Sequence, residues 1–152
     1  MRVGSQALGI QASPTRRLRV ITAGEWRNPM LYALLCYNDE DAVFSLTKEQ
    51  DDAVMAKLSV VRERLEKQGK MGPSARLMAT TAATTLRKDR EPPLVLDGPF
   101  AETKEQLLGF YILDCTGLDE ALEISRELAH ANPGGAYEIR PLRLFLPGSV
   151  VA

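Results

Sequence analysis

The pattern of hydrophobic and polar positions divides the chain into apolar runs and two amphipathic segments. The continuous apolar runs at 31–37 and 107–114 predict buried strands, and 137–142 predicts a last strand. Thr47-Lys48-Glu49-Gln50 fits a capping box, which predicts a helix start. One apolar stripe of that helix consists of Val54, Leu58, Val61 and Leu65. Gly69 is expected to end this helix at the C′ position.

The remaining segments predict shorter elements. Residues 38–45 predict a polar loop, and 70–78 an irregular strand broken at Gly72-Pro73. Thr84–Arg87 and Leu94–Leu96 flank a charged turn, which predicts a hairpin. A second capping box, Thr116 to Asp119, predicts a helix that ends at 132–135. We expect the stripe of this helix to comprise Leu118, Leu122, Ser125 and Ala129, flanked by Ala121 and Leu128.

The predicted order is β-α-β-(ββ)-β-α-β, two helices against four or more strands. Right-handed crossovers place both helices on one face of a single antiparallel or mixed sheet. The predicted fold class is therefore α+β, a ferredoxin-like sandwich. We expect residues 30–146 to form the domain, 1–29 to be a basic extension outside it, and 147–152 to be a C-terminal tail.

The strands themselves predict an interface. In 107–113 one face carries Leu108, Phe110 and Ile112, and the other also carries large apolar side chains. A sheet with helices on one face normally presents polar residues to water on the other. A second copy packed about a two-fold axis would cover that face, so we expect a homodimer. The alternative is that the extension or the apolar tail 144–152 covers the face within one chain.

Charge and composition limit the classes of partner. Residues 1–29 carry +4, which leaves −5 for the rest of a chain with net charge −1. An acidic body argues against nucleic-acid binding by the domain, and no apolar run is long enough to cross a membrane. Met30, at the edge of the folded pattern, is an alternative start. No signal peptide is recognisable, and Cys36 and Cys115 lie in apolar runs, so a cytoplasmic protein with reduced thiols is expected.

The candidate site lies in 94–114, where a polar loop joins two apolar strands. Asp97 and Glu102 are candidate catalytic carboxylates for proton transfer, and Lys104 is a candidate anion-binding residue. Gly98 and Pro99 shape the turn, and turn formation alone would also explain Asp97 and Phe100. Further candidate ligand-binding residues are Phe100, Tyr111 and Arg140.

The sequence lacks the motifs that are typical of several kinds of enzyme. His130 is the only histidine, and no His/Cys cluster has the spacing of a metal site. There is no GxGxxG after a strand, no P-loop and no GxSxG. We therefore expect no metal and no nucleotide cofactor.

Asp97-Gly98-Pro99-Phe100, followed by Glu102, Lys104, Glu105, Gly109 and Tyr111, resembles the motif of the DGPF-domain, YCII-related family. The resemblance covers about 30–142. It implies a dimeric α+β barrel built on a ferredoxin-like fold. Related members use a histidine–aspartate pair, and one branch resembles a dehydrochlorinase of muconate-type acids. This chain has no histidine in its first strand, first helix or loop, so that mechanism does not carry over.

Two functions from different classes follow. The first is a homodimer that binds a small anionic organic molecule, with lyase- or isomerase-like proton transfer by Asp97 and Glu102 and ligand binding by Lys104. The second is a non-catalytic accessory or regulatory module for a sigma-type transcription factor, which the resemblance suggests because some DGPF domains occur with such factors.

Overall fold

The computed structural model describes residues 31–148. The basic extension, its predicted short strand at 18–22, Met30 and the last four residues of the tail lie outside the described residues.

The described chain contains six strands, three helices and one short 3-10 turn at Thr80–Ala82. In order they are β1 (Leu31–Asn38), α1 (Glu40–Phe44), α2 (Lys48–Lys67), β2 (Met71–Arg76), β3 (Thr84–Arg87), β4 (Leu94–Asp97), β5 (Gln106–Asp114), α3 (Leu118–Ala131) and β6 (Ala136–Pro141).

Four strands form one sheet in the order β2-β5-β1-β6, and every neighbouring pair is antiparallel. With α2 and α3 as crossovers, this order confirms the predicted ferredoxin-like α+β fold. The hairpin prediction is also confirmed, since β3 pairs with β4. That hairpin forms a separate two-stranded sheet, and it lies between β2 and β5 in the chain but not in the four-stranded sheet.

The helix α2 begins and ends as its sequence predicts. The Thr47 hydroxyl accepts from the Gln50 backbone N–H, and the Gln50 side chain accepts from the Thr47 N–H. Leu58 and Leu65 on the predicted stripe are buried, and Val54 and Val61 pack against the same core. Gly69 follows the last turn with φ 69°, a conformation that glycine adopts without a side-chain clash.

The helix α3 occupies the predicted position but differs in its start and its buried face. Gly117 is the N-cap and makes no side-chain cap; instead, Thr116 donates its N–H and hydroxyl to the Glu120 carboxylate. Leu118 is 51% exposed, so the predicted stripe was wrong there. The buried residues are Ala121, Ile124, Ser125 and Leu128. Packing against the sheet selects which stripe is covered, and periodicity alone left two adjacent stripes possible.

The predicted loop 38–45 contains the five-residue helix α1, which corrects that prediction. The Asp39 side chain caps it by accepting from the N–H groups of Asp41 and Ala42. Capping by Asp lets even one helical turn form where no apolar stripe is present.

The two faces of the large sheet have different environments. Tyr32 and Leu34 of β1 and Leu113 of β5 join buried residues of α2 and α3 in one core. The opposite face, here called the outer face, carries Ala33, Leu35, Phe110 and Ile112, which are half-buried and lie outside that core. Leu144 and Leu146 of the described part of the tail are themselves exposed.

Candidate functional site

A cavity of ≈ 320 Å³ lies between α2 and the core-facing side of the sheet. Its polar lining includes Cys36, three tyrosines and two arginines, namely Tyr37, Tyr111, Tyr137, Arg62 and Arg76. We call this space the donor cavity, because the groups named carry hydrogen-bond donors.

The strand register brings the thiol and phenols together. Cys36 of β1 is paired with Gly109 of β5 on one side and with Tyr137 of β6 on the other. Tyr111 lies two residues beyond Gly109, so its side chain points to the same face. Gly109 also lines the cavity, and because it has no side chain the backbone of β2 at Ala75 can approach β5 closely there.

Burial keeps these groups protonated. It raises the pKa of the Cys36 thiol from 9.0 to about 12. Burial is also the largest cause of the raised pKa values of Tyr111 and Tyr137, to which the neighbouring Cys36 adds in both cases. Near neutral pH the cavity therefore presents a neutral thiol, which is a poor nucleophile, and two neutral phenols that can donate hydrogen bonds.

The two arginines of the cavity have different partners. Arg76 donates from Nη1 and Nη2 to the two carboxylate oxygens of Asp51, at 3.2 and 2.9 Å. This pairing lowers the pKa of Asp51 and raises that of Arg76, in each case chiefly through the hydrogen bonds between them. Arg62 Nε lies 3.5 Å from Glu66 Oε1, but that contact lacks hydrogen-bond geometry.

Arg62 Nε is consequently a buried donor with no acceptor among the described residues. A buried donor without a partner costs roughly 1–3 kcal/mol, and more when the group is charged. The residues that line the cavity include no Asp, Glu or His, so this lining offers no ordinary general base. The arrangement suits binding of an anion better than proton abstraction.

A second recess, here called the loop depression, is open and has a volume of ≈ 430 Å³. It is lined by residues of the turn after β4, including Gly98, Pro99 and Glu102, together with Glu40. The Glu40 carboxylate accepts hydrogen bonds from the backbone N–H and hydroxyl of Thr80. Two carboxylates thus border one depression, and that of Glu40 already holds the 3-10 turn in place.

The two recesses adjoin the same junction between β1 and α1. Asn38 and Val43 line the donor cavity, whereas Glu40 lines the loop depression. The Gln106 side chain accepts from the Glu40 N–H and donates to the Thr103 carbonyl, which ties the loop to this junction.

The structure distributes the predicted site residues over several places. Gly98, Pro99 and Glu102 lie together in the loop depression, and Tyr111 lies in the donor cavity. Asp97 ends β4, where it is paired with Thr84.

The other three predicted residues line neither recess. Phe100 is 77% exposed, and the Arg87 guanidinium lies 5.6 Å from its ring centroid. Lys104 is exposed in the loop before β5. Arg140 is on the outer face beside Ala33 and donates to the Glu138 carboxylate.

Sequence reasoning missed Arg62, Arg76, Cys36 and Tyr137 as site residues. A signal existed for Arg62, which lies four residues after Leu58 and three before Leu65 and therefore interrupts the buried stripe of α2. Cys36 and Tyr137 gave no separate signal, because a thiol or phenol in an apolar strand also suits a filled core.

Among residues 31–148, no group of three or more His, Cys, Asp or Glu side chains has an arrangement that could hold a metal ion. In the same part of the chain, no helix has the length and apolar character needed to span a bilayer.

Comparison with known proteins gives one family and one close relative. The model of the YCII-related domain matches residues 30–146. An uncharacterised protein of Rhizobium meliloti (strain 1021) is 57% identical over 122 residues, which are 80% of this chain and 98% of the relative.

Proposed function

Because this chain belongs to the YCII-related domain family, in which its relative is uncharacterised, we propose a function from the geometry of its own cavity. The protein binds a small anionic organic molecule in the donor cavity and acts as a homodimer. The observation that carries this proposal is the lining of the cavity, which combines Arg62 and Arg76 with the phenols of Tyr111 and Tyr137 and includes no Asp or Glu.

The physical argument is one of complementarity. The cavity offers the hydrogen-bond donors of its phenols and arginines, and its lining contains no carboxylate; the carboxylates paired with the arginines, Asp51 and Glu66, lie outside the lining. An anion with several acceptor oxygens pairs with such groups, and hydrogen bonds to a charged partner are about twice as strong as neutral ones. A volume of ≈ 320 Å³ lies at the small end of ligand pockets, which supports a metabolite-sized ligand.

A thermal-shift screen against small carboxylates tests the proposal. The Ser59→Phe substitution places a ring on one of the α2 residues that line the cavity and should abolish stabilisation by any carboxylate that binds there. Val60→Phe is the matched control, because Val60 is the next residue and is 71% exposed. If no carboxylate stabilises the wild-type protein, or if Ser59→Phe responds like Val60→Phe, ligand binding in this cavity is refuted.

The homodimer rests on the outer face. Leu35, Phe110 and Ile112 form a continuous apolar patch there, bordered by the Glu138–Arg140 ion pair of β6. A second copy of the sheet would remove this patch from water. Light scattering at micromolar concentration should give twice the chain mass, and Phe110→Asp should give the monomer mass. A monomer mass for the wild type would refute it.

Proton-transfer chemistry of a lyase or isomerase type is the catalytic part of the proposal. It assigns proton transfer to Asp97 and Glu102 and anion contact to Lys104, at the end of β4 and in the loop before β5, and therefore concerns a ligand held at this loop and not one in the donor cavity. The measurement is deuterium incorporation into a bound carboxylate by NMR in heavy water, with Asp97→Asn, Glu102→Gln and Lys104→Ala as variants. Exchange in the wild type that is lost in these variants supports the assignment. Absence of exchange in the wild type refutes the catalytic part and keeps only the proposed binding.

The second candidate function is a non-catalytic accessory module for a sigma-type factor. The β3–β4 hairpin favours it, since Leu86, Val95 and Leu96 are exposed together with Phe100. Its test is association with a purified sigma-type factor. If Val95→Asp abolishes this association and still responds to carboxylates, the hairpin is a separate protein-binding surface. Absence of association with the wild-type protein would refute this candidate function.

A further inference from the structure

We propose that the β3–β4 hairpin is a dimerisation arm, and that one face of it packs against a second copy of this chain. That face, here called the arm face, carries the opposed pair Leu86 and Val95, with Thr84 and Asp97 at its base. The inference rests on the proposed homodimer and adds to it a second surface that the partner contacts.

The hairpin is anchored to the domain, but its strands are uncovered. Among the described residues β3 and β4 pair only with each other, and all four residues of β4 are exposed. The chain on either side is fixed, since Glu40 accepts hydrogen bonds from Thr80 and Gln106 donates to the Thr103 carbonyl. An isolated two-stranded hairpin is only marginally stable in water, so one held out from the domain needs a surface to pack on.

The DGPF turn after β4 covers one face of the hairpin. Thr85 and Arg87 share this face, because side chains alternate along a strand. The Thr85 hydroxyl donates to the Gly98 carbonyl at 2.8 Å, and the Arg87 guanidinium lies over the Phe100 ring. The turn therefore leaves the arm face as the open one.

The exposure of the four apolar side chains agrees with this arrangement. Leu94 and Leu96, on the covered face, are 37% and 45% exposed. Leu86 and Val95, on the arm face, are 59% and 62% exposed. A directly opposed pair of large apolar side chains is thus left in water.

Uncovered apolar residues lead along the chain from the outer face to the hairpin. Ala75 of β2 pairs with Phe110, which lies on the outer face. Leu77 follows two residues later and donates its N–H to the Leu108 carbonyl, so its side chain points to the outer face as well. Both Leu77 and the next residue, Met78, are exposed. A partner that covers the outer face therefore meets the segment from which the hairpin begins.

The outer face alone is small for a stable dimer. Its apolar residues Ala33, Leu35, Phe110 and Ile112 are already half-buried in the single chain. A stable interface removes roughly 800 Å² from each partner, contributed by about 20–30 residues. The arm face, together with the segment at 77–78, supplies the further apolar surface that such an interface needs.

The charges near both surfaces are compatible with a second copy. A two-fold interface places the same patch on both subunits, so a patch of one sign would repel itself. Beside the arm face Arg87 is paired with Asp89, and beside the outer-face patch Arg140 is paired with Glu138. Both borders combine the two signs of charge, and the arm face itself carries a single charged residue, Asp97, at its base.

Sedimentation of the full-length protein over a range of concentrations tests the inference through the dimer Kd. Leu86→Glu should raise this Kd at least about tenfold, because a two-fold dimer places the new carboxylate in the interface twice. Val60→Glu is the matched control, since Val60 is exposed on α2, and it should leave the Kd unchanged. A dimer Kd of Leu86→Glu equal to that of Val60→Glu would overturn the inference.

Hydrogen exchange in the wild-type protein gives a second readout that does not depend on a variant. The backbone amides of 84–87 and 94–97 should exchange at least about tenfold more slowly well above the dimer Kd than well below it. Helix α3 lies on the opposite side of the sheet from the outer face and serves as the internal reference. Hairpin amides that exchange at the same rate at both concentrations would contradict the inference.

The outcomes separate this inference from the proposed function. If Phe110→Asp dissociates the dimer and Leu86→Glu does not, the homodimer stands and the arm is refuted. If the wild type is a monomer at every concentration, both the homodimer and the arm fail. If Leu86→Glu keeps self-association but loses association with a purified sigma-type factor, the hairpin serves that partner and the arm is again refuted.

Discussion

Gly109→Ala should destabilise the protein by forcing two backbones apart. Gly109 is buried in β5 between Cys36 of β1 and Arg76 of β2. A Cβ atom there would lie 2.5 Å from the Ala75 carbonyl oxygen and 3.5 Å from the Arg76 Cα. Both atoms are backbone, so no side-chain rotation relieves the clash, and β2 must move away from β5.

The expected loss is about 1–3 kcal/mol in the free energy of unfolding, the usual range for overpacking a core. For a domain of this size each kcal/mol lowers Tm by roughly 4 °C. Urea denaturation followed by circular dichroism measures the change. Because Ser74 and Arg76 line the donor cavity from β2, the same variant should also lose stabilisation by ligands.

Gly72→Ala is the matched control for this prediction. Gly72 lies on β2, and its added Cβ would meet Ile112 at 3.6–3.8 Å, which is ordinary van der Waals contact. Its unfolding free energy should change by no more than about 0.5 kcal/mol. If Gly109→Ala unfolds at the same urea concentration as Gly72→Ala, the close approach of β2 to β5 at Gly109 is not as described.

Three further predictions concern the helix start, pH and the thiols. Thr47→Ala removes the acceptor of the Gln50 N–H and should cost about 1 kcal/mol by urea denaturation. The pKa of Asp51 is lowered from 3.8, so its stabilising effect is present above that value and is lost as pH falls through the folded pKa. The stability difference between wild type and Asp51→Asn should therefore shrink as pH falls below about 4 in acid titrations; a constant difference would contradict this prediction. Cys36 and Cys115 have pKa values raised to about 12 and about 11, so DTNB at pH 8 should label them much more slowly in native protein than in urea.

Local signals in the sequence sufficed for much of the fold. The capping box at Thr47, the apolar stripe of α2 and the glycine at 69 act within a few residues of one another, so their consequences follow from neighbours along the chain. The long apolar runs became the central strands β1 and β5. The stripe of α3 was wrong at Leu118, which is exposed, whereas Ser125 of that stripe and the flanking Ala121 and Leu128 are buried, because contact with the sheet decides which positions are covered.

Local signals in the sequence did not suffice for the candidate site. The DGPF loop is recognisable as a turn, and Gly98, Pro99 and Glu102 do line one depression. The donor cavity combines residues from β1, α2, β2, β5 and β6, which are up to about a hundred positions apart in the chain. Tyr111 was expected at a site, but its partners Arg62 and Tyr137 were not, since no local pattern links them.

By itself the sequence determined the two long helices, the strands, their order and the α+β class, because helix capping, periodicity and turn formation depend on residues close together in the chain. The tertiary structure decided which face of each element is buried and which polar groups meet. The pairing of Arg76 with Asp51 and the buried Arg62 Nε–H depend on the packing of α2 over the sheet. Their electrostatics arise from distances and desolvation that exist only after the sheet has assembled.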